Sequence, residues 1–446
     1  MNKKTGFLLL LLLILCLLVC GCESGGKPSS GEDAVLGLTE NSDGTLTLTV
    51  PVGNGTAQLN VVRTPASAYA GYPLVRSDTG TQTDIAAAKA VQQAFEALGT
   101  SLSLTTDWVK RGEEVPADTQ EVLVGMTNRA ECAESLRAND FSVRVTGNRL
   151  AVYGGSPDAS LYAAELFAQY FTEPETGMLL LPADGEFLYS DTYVCDTLTL
   201  NGSPLWEYGV QGPDTVKSLF QNFCLSVTGH EMVSAMAATR TIAVLTGEPE
   251  GLCSLSTNGD TITVTASAEN ARLGARYLLS LLMKEGGISM EGSAQNAEIT
   301  LSVAVLTEDT LRSAEPIEIF VAPDGSDEND GGKSSPLATI SAARDKVRVL
   351  TMGSLSPVYV YLRGGDYYLT EGITFDENDS GIPSAPVTYA AYENETVNLY
   401  GGVKVDPSFV KKAENPEIVG RVIDKTAAEK LMQIDISSIA EQIPGF

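Results

Sequence analysis

The sequence predicts a multidomain chain: two small α/β (α+β) sandwich units, then the N-terminal cap and first coils of a parallel β-helix. Three observations predict it. The order strand, hairpin, helix occurs twice between residues 40 and 305. From Glu315 the chain turns into short β-rich runs, each ending at Gly, Asn or Asp. Between the two patterns lies an acidic, glycine-rich stretch, Val321–Ser335, that leads into an amphipathic helix. The 446 residues suffice for several domains at roughly 100–200 residues each.

Residues 1–21 have the layout of a signal peptide. Lys3 and Lys4 precede an apolar run from Phe7 to Val19, too short for a spanning helix. The run ends in "VCGC", which resembles the bacterial lipoprotein lipobox, with Val19 and Gly21 at the positions read by the peptidase. The resemblance implies that Cys22 is the lipidated first residue of the mature protein. It also implies an extracytoplasmic protein, anchored to the bacterial cell membrane through Cys22 and displayed at the cell surface. The alternative is an ordinary secretory signal with an accidental cysteine. Residues 22–39, rich in Gly and Ser, read as a flexible tether.

Residues 40–190 are the first α/β unit. Gly44–Val62 alternates about a Gly-Asn-Gly turn and reads as a hairpin. Ile85, Ala88, Val91, Phe95 and Leu98 recur at helical spacing, with Thr83 or Asp84 as the candidate cap. Glu121–Gly125 reads as a buried strand. Asp140–Gly155 reads as a hairpin with Phe141, Val143 and Val145 on one face, and Pro157–Phe171 as a helix opened by Asp158. "GGSPDAS" at this helix start reads as a turn and a cap, because the chain has no Walker lysine or G-x-G-x-x-G there.

Residues 191–305 repeat the order as a second, related unit. Asp214–Phe223 reads as a helix, Thr241–Gly247 as a strand, and Cys253–Ser267 as a hairpin on Asn258-Gly259. Glu269–Met283 is a helix with Ala271, Ala275, Leu278 and Leu282 on one face.

In residues 315–446, Ile340, Ala343, Val347 and Leu350 mark the apolar face of the helix after the acidic stretch. The strand candidates are Val358–Leu369, Gly372–Phe375, Pro386–Glu393 and Val397–Val405. One coil per roughly 20–25 residues suits a parallel β-helix. The helix would close its first coil, covering apolar side chains and a strand edge. A small β-sandwich-like module is the alternative for this region.

Two resemblances follow from these residues. "EVLVGMTNR" and "DFSVRVTGNRLAVYGGSPDASLYAAELF" resemble the non-catalytic α/β domain that precedes the barrel of β-hexosaminidases and α-glucuronidases. "VAPDGSDENDGG", "SPLATISAARDKVR", "YLRGGDYYLTEGITFDENDSG" and "PVTYAAYENETVNLYGG" resemble the opening of bacterial right-handed parallel β-helix proteins. That superfamily includes pectate lyases, and the resemblance runs closest to family 141 glycoside hydrolases. It implies a right-handed helix, a polysaccharide or glycan as partner, and catalytic acids on later coils. Because only about three coils fit before Phe446, the chain is expected to be the N-terminal fragment of a longer enzyme, inactive alone.

Composition restricts the chemistry. The net charge of −28 repels phosphate backbones, so no nucleic-acid partner is expected. His230 is the only histidine, which excludes a His-rich metal site and leaves a catalytic triad little to work with. Cys132, Cys195, Cys224 and Cys253 lack C-x-x-C spacing, so zinc is not expected. One disulfide or four buried thiols fit equally. Asp324, Asp327, Glu328 and Asp330 fail the EF-hand register, since Ser335 stands where a bidentate glutamate is required. In a glycine-rich turn these acids, like Asp376, Glu377 and Asp379, read as solvated rather than as a glycosidase pair. Arg363 alone does not make a lyase base. Tyr359, Tyr361, Tyr367, Tyr368 and Tyr389 are divided by strand alternation between core and sugar-stacking positions. No catalytic, cofactor or metal residue is assigned.

The functional expectation is a cell-surface lipoprotein in polysaccharide breakdown, part of a β-helix glycoside hydrolase. A non-catalytic carbohydrate-binding or adhesive protein is the alternative, and a polysaccharide lyase the third.

Overall fold

The computed structural model describes residues 36–53, 55–111, 113–132, 136–289 and 294–434. Cys22, the signal, most of the tether and residues 435–446 lie outside them. The chain divides into two compact units. One comprises Met1–Leu245, Leu255–Val264 and Leu281–Val303; the other comprises Thr246–Ser254, Thr265–Ser280 and Ala304–Phe446. No helix among the described residues is long and apolar enough to cross a membrane.

In the first unit, strands β1 (Gly37–Glu40), β2 (Leu46–Val52) and β3 (Gly55–Pro65) form an antiparallel meander. The tether therefore ends in an edge strand. A second sheet has a parallel centre of β4 (Pro73–Arg76), β5 (Ser103–Thr106), β6 (Glu121–Val124) and β8 (Arg149–Gly154), with β7 (Phe141–Thr146) antiparallel to β8. All four residues of β6 are buried, as a central parallel strand requires. Helices Gln82–Ala97 and Pro157–Tyr170 share one core with the apolar faces of both sheets. Phe167 stacks between Phe95 (6.4 Å) and Phe171 (5.9 Å). Each such buried ring contributes roughly 1.5–3 kcal/mol.

The helix starts differ from expectation. Thr81, not Thr83 or Asp84, caps the first helix, and Asp84 at the third position accepts the Thr81 backbone N–H at 2.7 Å. Ser156 caps the second by accepting the Ala159 N–H at 3.1 Å, while Asp158 lies inside the first turn.

The expected element order recurs. Strand Tyr208–Gln211 pairs parallel with Arg240–Thr246, and the helix between them runs Asp214–Thr228, longer than its sequence pattern. Strands Cys253–Asn258 and Thr261–Ala266 flank the Asn258-Gly259 turn, with Gly259 at φ +58°. The helix Ala271–Gly286 buries Ala271, Ala275, Leu278 and Leu282, the predicted face. Strand Cys195–Leu200 pairs parallel with Ala294–Ile299.

In the second unit, Ile317–Val321, Val358–Leu362 and Val387–Ala391 stack as a parallel, in-register ladder. Gly365–Leu369 and Val397–Gly401 form a second one. Successive strands in these ladders are offset by about 30–40 residues, more than the 20–25 expected for a coil. The run Val358–Leu369 is two strands. Arg363 and Gly364 turn the corner, and Gly365 sits at φ +146° where a Cβ would lie 2.7 Å from Pro323 Cγ. Gly372–Phe375 is not a strand: its alternation has no ladder partner. Helix Ile340–Met352, capped by Thr339, packs Ile340, Ala343 and Val347 into one core with Ile319, Val321, Val358, Val360 and Leu362. Leu350 is only partly buried against it.

Candidate functional site

The acidic stretch is built into the fold. Asp327 accepts the backbone N–H groups of Ala338 and Thr339 at 2.8 Å and the Thr339 hydroxyl at 2.8 Å, tying the loop to the helix start. Asp330 accepts from the Ser335 hydroxyl and, at 2.8 Å, from the Gly332 N–H, which hold its carboxyl below the usual range. All four acids of the stretch are exposed, as the solvated reading expects, and Asp327 and Asp330 also accept hydrogen bonds from the loop and the helix start.

Asp379 departs from the solvated reading. It is buried and holds Arg348 through Nε at 2.7 Å and Nη2 at 2.9 Å, while Asp376 caps the turn. Burial opposes its ionisation, but the Arg348 and Asp376 hydrogen bonds outweigh that and keep its carboxyl below the ordinary range. Arg363 is pinned by Glu395, with Nε 3.0 Å from Oε2, and this contact raises its pKa further. A guanidinium so held is a poor base for proton abstraction. His230 stacks on Trp206 at 4.1 Å, and burial together with Arg137 pushes its pKa down.

All four described cysteines are free and buried; burial raises the thiols of Cys224 and Cys253 to about 12. They behave as small core residues. A thiol reagent at neutral pH is expected to leave these four unmodified in the folded protein and to label them after denaturation.

The aromatic positions form the one organised surface with ligand-contacting chemistry that the described residues show. The ladders put Tyr359, Tyr361 and Tyr368 outward and Tyr367 inward. Tyr367 is core: its single hydroxyl proton is shared between the Val321 and Arg363 carbonyls, at 2.9 and 2.8 Å, and burial raises its pKa to about 12. Tyr389 is partly buried against the same core. Tyr361 packs against Phe320 (5.6 Å) and Tyr392 (5.5 Å) and stacks with Tyr359 (5.9 Å, 9°). Lys333 Nζ sits 4.8 Å above the Tyr392 ring and donates to its hydroxyl at 2.7 Å. These rings largely cover one another.

The second ladder is more open. Tyr368 pairs in register with Tyr400, and their rings stack at 5.2 Å and 19°. They remain 37% and 45% exposed, and Lys404 Nζ lies 5.8 Å from the Tyr368 ring. Below them Asn398 donates to Asp366 at 2.9 Å. Two stacked, partly exposed rings, flanked by a cation and an amide–carboxylate pair, can offer an open ring face to the C–H face of a sugar while the neighbouring polar groups bond its hydroxyls. Tyr392, Tyr400, Lys333 and Lys404 were not singled out from sequence. The available signal was that Tyr368 and Tyr400 occupy the same place in "GDYYL" and "VNLYG".

No family model matches the chain. Over 84 residues it is 42% identical to pectate lyase PEL9 of Emericella nidulans, covering 19% of this chain and 18% of that protein. Over 83 residues it is 35% identical to the uncharacterized protein YwoF of Bacillus subtilis, covering 19% and 15%. The matches thus span less than a fifth of each relative's length. Among solved structures, a glycoside hydrolase is 32% identical over 20% of this chain and 15% of its own, with TM-score 0.19. CpGH84D is 12% identical over 70% and 48%, with TM-score 0.22. At these TM-scores the structural likeness carries no argument. The sequence matches support a relation, confined to a short segment, to carbohydrate-active proteins.

Proposed function

We propose that this chain is a cell-surface lipoprotein that acts in polysaccharide breakdown, contributing glycan-contacting surface to a β-helix glycoside hydrolase. The observation that carries the reading is the outward tyrosine pair Tyr368–Tyr400 on parallel, in-register strands. The edges of Val387–Ala391 and Val397–Gly401 have no further partner among the described residues, so additional coils would stack there. On this reading the catalytic acids belong to those coils. The acids singled out here, Asp327, Asp330 and Asp379, are occupied as structural acceptors.

The test is depletion of the full chain from solution by a panel of neutral and acidic insoluble polysaccharides. At least one should deplete it. Tyr368→Ala/Tyr400→Ala should weaken that binding about tenfold or more, corresponding to about 1.4 kcal/mol. No depletion by any polysaccharide, or undiminished binding by the variant, would count against the proposal. A polysaccharide lyase is the second reading, favoured by the 42% identity to the protein named pectate lyase. The fixed Arg363–Glu395 pair speaks against Arg363 as its base.

The anchor is tested separately. Cys22→Ser should move the protein from the membrane fraction to the soluble one and abolish incorporation of labelled fatty acid. Unchanged labelling in that variant would contradict lipidation at Cys22.

A further inference from the structure

Two arginines on the helix Ala271–Gly286 lack the counter-charge that buried cations normally have. Arg276 is 1% exposed. Its Nε and Nη2 both donate to one acceptor, the Ser354 carbonyl, at 3.0 and 2.5 Å, and its Nη1 is buried without a partner. Arg272, one turn earlier and half-buried, gives Nη2 to the Glu377 carbonyl at 2.6 Å, while its Nε is buried and unsatisfied. Residues at this spacing sit about 5–6 Å apart at Cβ. No ion pair among the described residues involves either guanidinium. Every other arginine discussed above faces a carboxylate: Arg348 meets Asp379 and Arg363 meets Glu395.

The energetics make this arrangement unusual. A buried charge is tolerated when paired and hydrogen-bonded, and an orphaned N–H in a protein interior costs free energy of its own. Here burial, and after it the like charge of Arg272, lowers the Arg276 pKa to about 10. Glu377 attenuates this only for Arg272, and it offers its backbone rather than its carboxylate. In a chain of net charge −28 with 57 acidic residues, the pair stands without a bonded acid.

We propose that Arg272 and Arg276 form a binding site for a small oxyanion, which accepts from the free Arg276 Nη1–H and Arg272 Nε–H groups. A carboxylate or a tetrahedral anion such as sulfate or phosphate satisfies both donors and neutralises the repulsion between the guanidinium groups. Both N–H groups are closed to solvent in this conformation, so the anion enters by local opening at Arg272, the less buried of the two residues. The site is independent of the glycan reading: it would stand if Tyr368 and Tyr400 bound nothing.

The test is thermal unfolding of the full chain in sulfate, phosphate, acetate or chloride at equal ionic strength. Binding to the folded state raises the midpoint with concentration in a saturable way. At least one oxyanion should raise it above chloride, and Arg272→Gln and Arg276→Met should each lose that increment. Acetate as the effective anion would identify a carboxylate ligand; sulfate or phosphate would identify a tetrahedral one. Because Arg276 is buried, Arg272→Gln carries the test if Arg276→Met fails to fold. No oxyanion-specific increment, or an increment of the same size in wild type and Arg272→Gln, as general salting-out would give, would overturn the proposal.

Discussion

Arg149→Met is expected to destabilise the chain by about 3–5 kcal/mol, read as a lower urea midpoint. Arg149 starts strand β8 and is 2% exposed. Its Nη1 lies 2.9 Å from Glu131 Oε2, its Nε 3.1 Å from Glu121 Oε2, and its Nη2 donates to the Pro116 carbonyl at 2.8 Å. Glu121 also holds Arg129, with Nη2 at 2.8 Å, so two cations and two anions balance within a buried patch. Methionine keeps most of the stem volume but removes the charge facing Glu131. The loss is therefore electrostatic, and adding Glu131→Gln should restore a substantial part of it. A loss below about 1 kcal/mol for Arg149→Met would show that water already solvates the patch.

Val347→Asp is expected to cost more than about 4 kcal/mol, enough to unfold the segment around it. Val347 is fully buried on the helix Ile340–Met352, in one core with Ile319, Val358 and Val360. An aspartate there would be a charge with no partner in an apolar core, or a neutral acid with unmet hydrogen bonds. Limited proteolysis should cleave the variant within residues 317–401 under conditions that leave the wild type intact. Equal resistance would mean that this helix does not cover the parallel strands.

Much of the architecture could be read from periodicity. The faces Ala271/Ala275/Leu278/Leu282 and Ile340/Ala343/Val347 are buried as spaced, and the strands of the hairpins at Gly44–Val62 and Asp140–Gly155 pair as expected. Such patterns are local, and local sequence carries them. What it did not carry depends on chain brought in from a distance. Asp327 is exposed, as it reads, but its second role, accepting the N–H groups of Ala338 and Thr339, depends on residues eleven and twelve positions on. Asp379 reads as solvated until Arg348, 31 residues earlier, reaches it. Gly372–Phe375 alternates like a strand, yet strand formation needs a neighbour to bond, and none pairs with it among the described residues. The cap at Thr81 is legible in the sequence, because Thr-x-x-Asp is the spacing of a capping box, with Asp84 as its reciprocal partner. The stacking of Tyr368 on Tyr400 required the register, which single strands do not contain. The unpaired arginines have no sequence signature, because what distinguishes them is the absence of an acid in three dimensions.

Parallel, in-register stacking of the strands that carry Tyr368 and Tyr400 is open to a cross-linking measurement. In-register neighbours on adjacent parallel strands lie about 4.8 Å apart, within the Cα–Cα reach of a disulfide. Tyr368→Cys/Tyr400→Cys in the full chain should therefore form an intramolecular disulfide on mild oxidation, identified by peptide mapping. Tyr367→Cys/Tyr400→Cys should not, because Tyr367 points to the opposite face of its strand. Cross-linking of the first pair alone is the predicted result. Failure of that pair, or equal cross-linking of both, would contradict the stacked-coil account and the tyrosine surface built on it.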